Sequence, residues 1–312
     1  MIFVEHLPQR SVARVQGVVL RARGWGVALM GALLLTGAAV PAGALPGGGG
    51  AGISTIVGTP YDGTLRAFNL YVSPKVPTRE PVPLLMVLHG LYLDPSTTEA
   101  TSGLDRVADS EEVALVYPYG IDGSWNAGTC CGTASAQQID DVGFLAHVVD
   151  TVAALRPIDR RRVYVAGFSN GGMMSLRAVC ARPDVFAAAA SVGGTLQSGC
   201  LASSPVSALL LHGQRDTTVP YAGTSYSRFL RTALTPVPTA ALTLAKQSGC
   251  VAVRTTRTPK YQQASYRGCG PGSSVELVSV PALGHHWPTT QTDGVDGEGI
   301  VWNFLSRHRL AA

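Results

Sequence analysis

The feature that most limits the fold is a set of six short apolar runs, each ending in Gly, Pro or polar residues. They span residues 84–88, 114–117, 163–166, 187–192, 209–211 and 277–280. Runs of Val, Leu and Ala this short and continuous suit strands covered on both faces, as in a parallel sheet. Between them lie stretches of helical spacing. Residues 140–155 place Val142, Leu145, Val149 and Val152 along one face, and 172–181 and 225–233 continue the alternation. Strand and helix taking turns predicts an α/β fold, a mostly parallel central sheet with helices on both faces and right-handed crossovers. Residues 64–72, where Phe68, Leu70 and Val72 alternate, are expected to add antiparallel strands at one edge, and 300–306 a terminal helix. Sites in such sheets form at the carboxyl ends of the strands.

The 312 residues, 46% apolar and 14% charged, suffice for one large core. The net charge of +4 belongs mostly to the first 44 residues, where Arg10, Arg14, Arg21 and Arg23 face only Glu5. The remainder is near neutral, with no basic run interleaved with aromatics, which argues against nucleic acid and anionic membranes as partners. Basic residues, an apolar stretch from Trp25 to Val40 and then Ala42-Gly43-Ala44 form the layout of a secretory signal peptide over 1–44, cleaved after Ala44. Its apolar core, about 16 residues, is short for a roughly 20-residue span, so no stable membrane span is expected after cleavage. Residues 45–60, with Pro46 and the glycines at 47–50, are expected to form a flexible segment, and 61–312 the catalytic domain.

All six cysteines follow the cleavage site. An even number in an exported chain points to disulfides, and the C-x-x-C spacing of a zinc site is missing. Cys250 and Cys269, which bracket a polar segment, are expected to pair. Joining the adjacent Cys130 and Cys131 would need a strained ring, so one is expected to reach Cys180 and the other Cys200, although other connectivities remain open.

Residues 163–172, Val-Tyr-Val-Ala-Gly-Phe-Ser-Asn-Gly-Gly, read as a strand, a sharp turn carrying G-x-S-x-G and a helix start. The turn presents Ser169 as a nucleophile, with glycine at 167 and 171 where close packing excludes side chains. The helix N-terminus favours the negative charge that develops on a substrate. The pentapeptide alone is a weak signal in a Gly-rich chain; its strand and helix context makes it specific. A serine hydroxyl needs a base, and the base an orienting carboxylate, in the chain order Ser, acid, His. Asp216 follows the run at 209–211, and His285 and His286 follow the run at 277–280; Asp293 and Asp296 come too late. Gly284 lets the loop carry His285 toward the serine, so His285 is favoured as the base. His89 and His212, each before a Gly at a strand end, read as structural histidines. The oxyanion hole is assigned to the backbone N–H groups of Asn170 and Leu91.

With these residues in place, the chain resembles the secreted polyhydroxybutyrate depolymerase/LpqC-type esterases of the α/β-hydrolase superfamily, related to feruloyl and acetylxylan esterases. The likeness runs from about residue 63 to 304. It includes His89-Gly90, residues 123–128 with Cys130-Cys131, residues 140–144 and 167–172, His212-Gly213 with Asp216 and Val219-Pro220-Tyr221, and Gly284-His285-His286-Trp287-Pro288. The family's G-H-x-W-P motif implies His285, and hence a Ser169, Asp216, His285 triad. Trp125, Trp287, Tyr92 and Tyr221 become candidates for the wall of the substrate cleft. Tyr119 stands where the family carries an acidic residue. The implied activity is hydrolysis of carboxylic esters (small esters, polyester oligomers or acylated polysaccharide) by a secreted enzyme through an acyl-serine, with no metal or cofactor. No substrate-adsorbing domain follows, so soluble esters are expected at least as much as solid polyester. An acyltransferase, a serine peptidase and a non-catalytic binding protein on the same fold are the rival readings; the last should lack a triad member, and none is missing.

Overall fold

In the computed structural model, residues 52–311 are described; the leader at 1–44 and the start of the glycine-rich segment lie outside them. The chain opens with a hairpin of β1 (Ile53–Tyr61) and β2 (Thr64–Val72). Its Asp62-Gly63 turn has φ of 48° and 72°, the left-handed pair that a two-residue hairpin needs. Then follow β3 (Val82–Leu88), α1 (Pro95–Ser102), α2 (Leu104–Glu111), β4 (Ala114–Pro118), α3 (Gly132–Ala136), α4 (Asp141–Leu155) and β5 (Ile158–Phe168). The middle of the chain forms α5 (Asn170–Ala181), β6 (Ala188–Val192), β7 (Ala208–Gly213), β8 (Thr224–Ser227) and β9 (Thr232–Leu234). It closes with α6 (Val237–Gln247), β10 (Ala252–Arg257), β11 (Gln262–Arg267), β12 (Val275–Val280) and α7 (Gly297–Leu305).

Among the described residues, ten strands make one sheet in the order β1-β2-β4-β3-β5-β6-β7-β12-β11-β10. The six apolar runs are its six central strands, parallel throughout, and antiparallel hairpins close both edges. The continuous apolar character follows from burial on two sides. Leu84, Met86 and Leu88 of β3 point into one core, with Phe144 and Val148 of α4, while Leu85 and Val87 point into the other, with Leu104 of α2 and Phe304 of α7. Each such side chain contributes about 1.5–3 kcal/mol on full burial. The fold is therefore the expected α/β one, and no helix among the described residues is long and apolar enough to cross a membrane.

Three local expectations need correction. Residues 53–60 are strand β1, paired with β2 over its whole length, because Val57 packs on the core and Ser54 and Thr59 are buried. The folded sheet thus includes residues before 61. Residues 225–233 are not helical but lie in the β8–β9 hairpin. Thr224, Tyr226 and Thr232 favour strand, and Arg231, at φ 58°, leaves the helical path. The expected Cys250–Cys269 bridge forms, and the polar segment it brackets is the β10–β11 hairpin. Finally, Cys180 pairs with Cys200 and Cys130 with Cys131. Cys180 ends α5, which packs on β6, and Cys200 lies in the loop leaving β6, so their Cα atoms come within 5.1 Å. That distance suits a disulfide and leaves the adjacent, fully buried pair to each other.

Candidate active site

β5 delivers Ser169 to the carboxyl edge of the sheet, and α5 starts at the next residue. Ser169 sits at φ 55° and ψ −118°, a conformation that costs a non-glycine residue energy and persists because its surroundings fix it. The flanking glycines explain how. A Cβ at Gly167 would strike the backbone of Gly171, and one at Gly171 would strike the carbonyls of Leu88 and His89. The turn can thus close only with glycine at both positions, which brings the end of β3 against the start of α5.

The structure brings Ser169, His285 and Asp216 together from the ends of three strands. His285 Nε2 lies 3.0 Å from Ser169 Oγ, and its Nδ1 lies 2.7 Å from Asp216 Oδ2. The Asp216 side chain is fully buried, and its other oxygen accepts from the backbone N–H groups of Thr218 (2.9 Å) and Val219 (2.8 Å). Burial alone would raise its pKa. Hydrogen bonds from His212 and His285, the His285 charge and the Val219 amide outweigh burial and hold the carboxyl well below the usual range. His286 points elsewhere: its Nε2 meets Asp293 Oδ1 at 2.9 Å, at the surface.

The loop after β3 stands against the serine. A Cβ at Gly90 would come within 3.4 Å of Ser169 Cβ, so the loop that carries Leu91 passes close to the serine. Asn170, the first residue of α5, has an N–H without an acceptor in its own helix. The two amides assigned to the oxyanion hole thus stand on the two segments that flank Ser169. His89 braces this loop: Nδ1 donates to Gly90 O (2.8 Å), and Nε2 accepts from Gly120 N–H (2.9 Å). Burial lowers the pKa of His89 and keeps the ring in this neutral form. The Asn170 side chain bonds the Trp125 backbone twice, at 2.8 and 3.0 Å, and clamps the 123–128 loop to the helix start.

Of the four cleft candidates, only Tyr92 lines open space. Trp125 is entirely buried, its Nε1 donating to His89 O at 3.0 Å, so it supports the loop from behind. Trp287 packs into the second core against Gly297. Tyr221 is half-buried; its hydroxyl meets Ser279 Oγ at 2.7 Å and its ring lies beside His212. These large rings are more stabilised by burial beneath the loops than by exposure at the mouth. A cleft of about 490 Å³ reaches the loop after β3 and is lined by Leu91, Tyr92, Cys131, Thr133, Phe229 and Leu230, among others. Tyr92 and Phe229, both largely exposed, meet edge to face at 6.5 Å. Phe229 carries no sequence signal of a cleft residue, because the spacing of its segment predicts a helix. Phe168, whose ring lies 4.8 Å from that of His285, was visible only as the variable position of the turn motif.

A ten-stranded α/β sheet with a serine, an imidazole and a carboxylate in one chain of hydrogen bonds has the form of the α/β-hydrolase superfamily. The comparisons with known proteins narrow this. A family model described as putative esterase matches residues 63–237. The chain is 32% identical over 246 residues to the putative esterase NocK of Nocardia uniformis subsp. tsuyamanensis, with 72% of each protein covered. It is 29% identical over 242 residues to feruloyl esterase B of Piromyces equi, a match covering 73% of this chain but only 42% of that protein. Among solved structures, the acetyl xylan esterase from Aspergillus awamori superposes with a TM-score of 0.56 at 15% identity, covering 78% of this chain and 99% of the other. The chain belongs to the putative esterase family, and is a carboxylic ester hydrolase.

Proposed function

We propose that the protein is an exported esterase that works through an acyl intermediate on Ser169. The observation that carries this reading is the unbroken relay from Ser169 Oγ through His285 to Asp216, at 3.0 and 2.7 Å. His285 takes the Ser169 proton as the oxygen attacks the ester carbonyl, and the amides of Leu91 and Asn170 receive the oxyanion. Asp216 stabilises the imidazolium, which passes its proton to the departing alcohol. Water, activated by the same imidazole, then releases the acid. The acyl or alcohol group occupies the cleft between Tyr92 and Phe229, whose open ring faces suit a planar or ring-bearing ester better than a plain alkyl one. Feruloyl and acetyl esters of plant polysaccharide are the substrates this reading favours.

The test combines variants and substrates. Ser169→Ala and His285→Ala should each lower p-nitrophenyl acetate turnover about ten-thousandfold with the fold intact, while His286→Ala stays within about threefold. Retained turnover in Ser169→Ala, or equal losses in the two histidine variants, would refute the mechanism. Across acetyl, butyryl, feruloyl and 3-hydroxybutyryl esters, feruloyl should give the highest kcat/KM.

Export rests on the leader-like residues 1–44 and on three disulfides, which persist in an oxidising compartment. N-terminal sequencing of the exported protein should begin at Leu45; retention of the intact leader on a protein confined to the reducing cytoplasm would contradict it.

A further inference from the structure

His212 ends β7, four residues before Asp216, and is fully buried. Its surroundings differ from those of an ordinary packed histidine. Nε2 lies 2.8 Å from Val219 O and 3.3 Å from Asp216 Oδ2, and Nδ1 lies 3.3 Å from Gly194 O. Nε2 makes the shorter of the two carbonyl contacts, so that nitrogen carries the proton and donates it to the acid loop's Val219 carbonyl, with the carboxylate alongside. Two amides thus hold Oδ1 of Asp216, while Oδ2 meets His285 at 2.7 Å and has the His212 ring 3.3 Å away. The contact at Nδ1 reaches the other half of the site. A Cβ at Gly194 would meet Ser169 O at 2.6 Å, so Gly194 is wedged against the turn that presents the serine. One ring therefore spans the gap between the segment that carries the acid and the segment that abuts the nucleophile.

We infer that His212 is a positioning residue for the acid. By donating to Val219 O, whose own amide binds Oδ1, with its Nε2 3.3 Å from Oδ2, it fixes the carboxylate rotamer that points Oδ2 at His285, and it sets the spacing between the acid loop and Ser169. It touches no reacting atom and acts only through Asp216, so this inference rests on the relay proposed above. Without its donor, Asp216 would keep its two amides but lose the contact that aims the second oxygen. A displacement of this kind, near 1 Å at the acid, costs turnover without altering how the ester binds.

Two polar variants separate donation from packing. In His212→Gln the amide nitrogen falls near the Nε2 position, within reach of Asp216, whereas in His212→Asn it falls near Nδ1 and cannot reach. Rates are taken per serine titrated with a fluorophosphonate, so that only folded, reactive protein is counted. His212→Asn should lose about ten- to hundredfold in kcat with KM within about twofold, and His212→Gln should recover to within about threefold of the parent. In an Asp216→Ala background, the His212→Asn change should alter kcat less than about twofold, since its route of action is gone. Three results would overturn the inference: both variants at parental kcat, equal losses in both, or full additivity in the Asp216→Ala background. Undiminished turnover in Ser169→Ala would instead defeat the underlying relay, and is read independently of position 212.

Discussion

At the scale of single residues, the account turns on how a buried carboxylate stays charged. Asp216 is removed from water, which disfavours the anion, yet the donors around it reverse that preference and depress its pKa. A carboxyl depressed in the folded state contributes stability that is complete above its unfolded pKa, about 4, and is lost as pH falls through the folded value. The urea midpoint of the parent protein should therefore exceed that of Asp216→Asn at pH 7, with the gap narrowing steadily below about pH 4. A gap that stays constant from pH 7 to pH 3 would show that the charge of Asp216 is not what the fold holds. The order of serine, acid and histidine along the chain made these three residues legible, because that order and placement after strands follow from the sheet. The cleft wall was not legible in the same way. Indole rings are equally at home at a mouth or beneath a loop, and only the packing of Trp125 under His89 O and of Trp287 against Gly297 decides between them.

At the scale of elements, burial on two faces wrote the six central strands into the sequence as continuous apolar runs. Where a segment buries little, the pattern carries less information. β10 is exposed at every position and β8 buries no residue fully, and neither shows a strand pattern in the sequence. Their register is set by cross-strand pairing and, for β10, by the disulfide at the base of the hairpin. Pairing of Cys180 with Cys200 has a different effect: it ties the end of α5 to the loop after β6, whose Gly193 lies against the ring of His285. Closing a loop with a sequence separation of 20 restricts the unfolded chain and should contribute about 3 kcal/mol. A Cys180→Ala, Cys200→Ala double variant should lose about that much in urea unfolding while its kcat stays within about threefold. An unchanged midpoint would show that the bridge does not constrain the unfolded state as described.

At the scale of the whole molecule, the sheet gathers distant residues at one edge, and the loops around that edge select what reaches them. Buried polar contacts lock the loops to the scaffold. Arg66 of β2 pairs with Asp141 of α4 at 3.0 Å, both buried, and Asp141 also accepts from the Asn126 amide at 2.8 Å, beside the loop that Asn170 clamps. In the proposed mechanism the serine attacks from a framework set before substrate arrives, which is how fixed dipoles lower a barrier. The most direct test of the proposed acyl-serine is the mass of the enzyme during turnover. Rapid acid quenching of a reaction with p-nitrophenyl acetate, followed by peptide mass spectrometry, should find one acetyl group on the peptide containing Ser169 and none in Ser169→Ala. Steady hydrolysis with no adduct at any quench time, or an adduct on another residue, would contradict the account.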